Sequence, residues 1–99
     1  MRILIILLFF RSSILAQDVN SLFEQASLSY EQIDFEQALN YFKEIQDIGL
    51  YSSDLYYNIG NCYYKLQQNA EAVLYYEKAL KLNPSDEDAF FNLKLLIKS

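Results

Sequence analysis

Apolar residues recur at helical spacing along most of this chain, and the clearest stretch is the one before Pro84. Tyr56, Ile59, Gly60 and Tyr63 lie three and four residues apart, which puts them on one stripe of a first helix. Ala72, Tyr76 and Ala79 form a matching stripe on a second helix. The polar run Gln67, Gln68 and Asn69 separates the two, with Asn69 the expected N-cap. Pro84 removes a backbone donor and disfavours helical geometry at Asn83, so the second helix should stop there. Glycine inside a helix costs about 1 kcal/mol relative to alanine. That cost is tolerable where the missing side chain lets another helix come close. Small residues at 60, 72 and 79 therefore predict a tight helical hairpin with the tyrosine rings packed around them.

The same pattern recurs 34 residues upstream with altered identities. Leu22, Ala26, Ala38 and Phe42 stand where Tyr56, Gly60, Ala72 and Tyr76 stand, while Ser29 and Ile45 replace Tyr63 and Ala79. Asp34 is positioned to cap the second helix of this copy, with Gln37 three residues on, and Gly49 supplies a C-terminal stop near Ile48. A further helix is expected from Ser85, with Ser85 and Asp88 in a capping-box arrangement and acidic residues at the positive end of the helix dipole. Ala89, Phe90, Phe91, Leu93, Leu95, Leu96 and Ile97 spread apolar groups around most of that helix. Such a face calls for a cover, which predicts self-association or marginal stability of Gln17 to Ser99 alone.

The order and spacing of Tyr56, Ile59, Gly60, Tyr63, Ala72, Tyr76, Ala79 and Pro84 resemble a tetratricopeptide repeat, with Tyr in place of the usual Trp, Ile for Leu and Tyr76 for Phe. The resemblance implies an all-α, helix-turn-helix solenoid. Its expected divisions are a signal peptide at 1–16, a divergent first repeat at 17–52, a second repeat at 53–86 and a C-terminal helix at 87–99 that is either a cap or the start of a truncated third repeat. In that family the first helices of successive repeats line a concave groove. Carried over by position, the groove would receive Asn20, Phe23, Ser27, Tyr30 and Glu31 from the first repeat. The second would contribute Asp54, Tyr57, Asn61, Tyr64 and Lys65, and the last helix Asp88, Phe91 and Leu95. The family's carboxylate clamp is matched only at Asn58, because Phe23 and Ser27 replace its Lys and Asn, and Asp88 and Asn92 stand where basic residues belong. The candidate peptide-binding residues are thus Phe23, Tyr30, Tyr57, Asn58, Asn61, Tyr64, Lys65 and Phe91. Aromatic rings interspersed with amides suit an extended or helical protein segment. Leu55 to Leu96 further resembles the repeat segment of Bat aerotolerance-operon proteins of bacteria, which implies an exported or membrane-associated location and protein partners.

The N-terminus supports export on its own residues. Met1-Arg2 is a positive start, Ile3 to Phe10 is an apolar run, and Ile14-Leu15-Ala16 before Gln17 reads as a cleavage site. Uncleaved, the same segment would give membrane association through the N-terminus. Without residues 1–16 the chain loses Arg2 and Arg11, leaving six lysines against thirteen acidic residues. Such a surface is a poor match for nucleic acid, which needs clustered positive charge. Cys62 is the only cysteine, and its place beside the packing stripe points to a buried structural thiol. The chain has no histidine, no glycine-rich phosphate loop and no nucleophile with a visible base, so neither an enzyme nor a metal or other cofactor is expected. The leading expectation is a noncatalytic interaction adaptor in the bacterial periplasm or cell envelope, in an aerotolerance-type complex. Two alternatives stand beside it. One is a structural module that oligomerises through the C-terminal helix, and the other is an intracellular cochaperone in which Ile3 to Phe10 belongs to the fold.

Overall fold

The computed structural model describes residues 18–98, and the segment read as a signal peptide lies outside them. Helix α1 is described over 18–31, followed by α2 (Phe35–Asp47), α3 (Ser53–Lys65), α4 (Asn69–Leu82) and α5 (Glu87–Lys98). No strand occurs among the described residues, and none of their helices is long and apolar enough to cross a membrane. Neighbouring helices pack in sequence order, α2 on α3, α3 on α4 and α4 on α5.

The stripes anticipated above form the core. Ala26, Ala38, Ile45, Leu55, Ile59, Cys62, Ala72, Tyr76 and Ala79 are wholly buried, with Tyr56, Tyr63 and Phe42 nearly so. The small residues act as expected: a Cβ added at Gly60 would lie 2.8 Å from the Tyr76 ring. That distance is inside van der Waals contact, so α3 and α4 can approach this closely only because the side chain is absent.

Each helical hairpin turns through a residue that is not glycine. Ile33 and Gln67, 34 positions apart, both adopt left-handed backbone, with φ of 64° and 61°. The hydrogen bonds around them repeat as well. Ile33 N–H donates to the Tyr30 carbonyl as Gln67 N–H does to that of Tyr64, and Asp34 N–H donates to Ser29 as Gln68 N–H does to Tyr63. One backbone turn thus serves both copies although the side chains differ.

The helix ends partly follow the sequence reading. Asp34 caps α2 by accepting from Gln37 N–H at 3.2 Å, and Gly49 takes φ 101° just beyond the C-cap Ile48. The cap of α4 is Gln68 rather than Asn69, which already belongs to the helix, and the Gln68 side chain makes no capping bond. The start of α5 is capped by Asp86, which accepts from Ala89 N–H at 3.1 Å, and not by a Ser85–Asp88 box. The turn after Pro84 places Asp86 at the helix mouth, while Ser85 N–H is taken up by the Asn83 side chain at 3.2 Å. Ser52, not foreseen, caps α3 by accepting from Leu55 N–H at 3.0 Å.

Candidate functional site

Helices α1, α3 and α5 wall a recess of about 240 Å³ lined by Tyr30, Tyr57, Asn61, Tyr64, Lys65, Tyr76 and Asn92. Five of the eight residues picked from the sequence therefore meet in one place. Tyr30 and Tyr57 are half-buried; the Tyr30 ring stands edge-on to Phe35 at 5.0 Å and that of Tyr57 lies 6.0 Å from Tyr76. Tyr64 and Lys65 are exposed, with the Lys65 ammonium 5.9 Å from the Phe35 ring centre. Tyr64 and Lys65 also line a second recess of about 480 Å³, completed by Gln67, Asn69, Leu95 and Leu96. The two recesses are thus neighbours that share a wall.

Three of the picked residues stand apart. Phe23 is half-buried against Phe42 at 6.1 Å and lines a separate shallow recess with Glu24, Ser27 and Leu28. Asn58 is half-buried on α3 and lines none of these recesses. Phe91 is 61% exposed on α5 and lines none of them either.

Asn61 differs from its expected role as a free groove amide. Its Oδ1 accepts from the Tyr76 hydroxyl at 2.5 Å and from Asn92 Nδ2 at 3.2 Å, which joins α3, α4 and α5 beneath the recess. Asn92 Nδ2 also lies 3.4 Å from the Tyr76 hydroxyl. Burial pushes the Tyr76 hydroxyl well above the usual phenol range, so it stays a protonated donor. Asparagine at 61 is therefore there first to satisfy a buried phenol. The stripe pattern could not reveal this, because the partners lie 15 and 31 residues away in sequence.

On the far side of the core, polar atoms tie the two copies together. Tyr75 donates to Gln46 Oε1 at 3.2 Å, and Lys43 Nζ donates to the Tyr63 hydroxyl at 3.2 Å. The Tyr63 contact holds Lys43 above the ordinary lysine range. Lys78 lies over the Tyr75 and Tyr56 rings at 4.7 and 5.7 Å. Cys62 is buried and free, and burial pushes its thiol up to about 12, which removes it from thiolate chemistry near neutral pH. Among the described residues no group of His, Cys, Asp or Glu side chains could hold a metal ion. The acidic run Asp86, Glu87 and Asp88 serves the start of α5, where Asp86 also accepts from the Ser53 hydroxyl at 3.4 Å.

Stacked helical hairpins with a ring-lined recess between their first helices define a helical-repeat architecture. The comparison with protein families agrees: residues 53–86 match the tetratricopeptide repeat, a protein-interaction repeat. Among curated proteins, none matches the chain.

Proposed function

We infer that the chain is a noncatalytic adaptor that holds a segment of another protein in the recess between α1, α3 and α5. The observation that carries this reading is the convergence of Tyr30, Tyr57, Tyr64 and Lys65, from two helices, on one partly open recess. Phenol rings offer contact area with little side-chain entropy to lose, and their hydroxyls with the nearby amides can satisfy the backbone of an incoming segment. Lys65 is the one cation among the described residues that line it, so an acidic or carboxylate-bearing segment is favoured over a basic one. Nucleic acid is not the partner we propose, given six lysines against thirteen acids outside residues 1–16.

The place of action that we propose is the bacterial cell envelope, in an aerotolerance-type complex. It is supported by Met1-Arg2, the apolar run Ile3 to Phe10 and the Ile14-Leu15-Ala16 site, together with the resemblance over Leu55 to Leu96. Affinity capture from cells tests the adaptor reading, comparing wild type with a Tyr57→Ala, Tyr64→Ala, Lys65→Ala variant of equal helicity. Asn61 is left intact because its loss would strand Tyr76. A partner lost with the triple variant supports the groove; an unchanged set of partners contradicts it.

A further inference from the structure

Helix α5 carries an apolar surface that the packed helices leave uncovered. Ala89 is buried and Leu93 and Leu96 pack against the core, yet Phe90, Phe91, Leu95 and Ile97 are 56, 61, 46 and 68% exposed. Among the described helices α5 exposes the most large apolar groups: α4 has Leu74 and Leu82, α1 has Leu28, α3 has Tyr64 and α2 has none. Phe91 and Leu95 lie four apart on one flank, Phe90 and Ile97 seven apart on the other. Between the flanks, opposite the buried face, run Glu87, Lys94 and Lys98.

The repeat itself says what does not cover this surface. Phe90, Leu93 and Ile97 are 34 residues beyond Tyr56, Ile59 and Tyr63, so they form the stripe on which a second helix would pack as α4 packs on α3. That packing is made over a small residue in both copies, Ala26 in the first and Gly60 in the second, and a Cβ added at Gly60 would meet the Tyr76 ring at 2.8 Å. The corresponding residue on α5 is Lys94, whose ammonium lies 5.8 Å from the Phe90 ring centre. A helix at the α3–α4 distance would collide with that lysine stem, so the occupant must approach differently.

We propose that this face pairs with the same face of a second copy, the two α5 helices running antiparallel across a twofold axis. Charge decides the occupant and the direction. Acidic residues sit in the first turn, Glu87 and Asp88, and Lys94 and Lys98 in the second half. Antiparallel pairing sets each acidic turn against the other copy's basic end, whereas parallel pairing would set like charges together. With Glu87 opposite Lys98 of the second copy, Phe91 lies beside the second copy's Leu95 on one flank and Phe90 beside its Ile97 on the other. The helix dipole alone would favour this charge order within one helix, but it does not account for four large apolar side chains in water. A twelve-residue seam is about 18 Å long, so the pair belongs to the small interfaces.

Sedimentation equilibrium of the full chain over a wide concentration range tests this, with a charge-swap set. Glu87→Lys alone and Lys98→Glu alone should each weaken the dimer about tenfold, and the double swap should restore it to near wild type. Phe90→Ser should abolish it with helicity retained. Three results would overturn the proposal: a folded monomer at every concentration, association that survives Phe90→Ser, or a double swap no better than the single ones. Association through residues 1–17, or with another protein through this face, would appear as one of these.

Discussion

The two helical hairpins repeat one backbone turn and contribute to one core, but with different side chains. Ile33 and Gln67 turn alike, and Ala26 and Gly60, Ala38 and Ala72, and Phe42 and Tyr76 hold equivalent buried places. Around them the identities part. The second hairpin buries Leu55, Tyr56, Ile59, Cys62, Tyr63 and Tyr75, whereas α1 buries only Ala26 and Ser29. Helices α3 and α4 have packed neighbours on both sides, with α2 before and α5 after. The family pattern is found at 53–86, while the upstream copy keeps Ala26, Ala38, the ring of Phe42 and the turn.

Removing the equivalent rings, Phe42 and Tyr76, should have the largest effect. Tyr76→Ala should destabilise by about 4 kcal/mol and Phe42→Ala by about 3, the tyrosine costing more because Asn61 and Asn92 lose their partner too. Thermal and urea unfolding would measure both; equal losses would mean that the polar network adds nothing.

Exchanging the small residues comes next. Gly60→Ala should destabilise by about 1–2 kcal/mol despite the gain in helix propensity, because its Cβ must displace the Tyr76 ring. Ala26→Gly should also destabilise, by about 1 kcal/mol, for the opposite reason. A stabilised Gly60→Ala protein would show that α4 can move aside.

The turns should respond alike and in the other direction. Ile33→Gly and Gln67→Gly each relieve a left-handed residue and should raise stability by about 0.5–1 kcal/mol. A loss at either site would mean that its side chain does more than occupy a turn.

The smallest effect near neutral pH is that of Cys62. Its folded thiol is raised to about 12 from 9.0. The unfolded thiol ionises first, so this contribution to stability is complete below pH 9 and is lost as pH climbs through 12. Unfolding of Cys62→Ala compared with wild type across that range should show the shallower alkaline decline in the variant. Parallel curves would contradict a buried thiol.

The helices and the small-residue stripes were legible because each is written in spacings of three and four residues. The turns were not, since neither Ile33 nor Gln67 advertises left-handed backbone as glycine would. The caps were half legible. Asp34 lies directly ahead of an apolar stripe, but the turn after Pro84 hands the α5 cap to Asp86, a detail set by tertiary geometry. Within the site, Tyr30, Tyr57, Tyr64 and Lys65 reach the recess as their repeat positions imply, whereas the bond of Asn61 to Tyr76 and Asn92 depends on three helices meeting. Phe91 shows the reverse: its repeat position points to the groove, yet it lies outside the recess on the open face of α5.

Photo-crosslinking in cells tests whether the recess holds a partner, with a benzophenone amino acid in place of Tyr64 in the recess or of Leu74, exposed on α4 outside it. The groove account predicts a discrete protein adduct from position 64 that Lys65→Ala weakens, and none from position 74. Equal adducts from both positions, or an adduct from 74 alone, would contradict it.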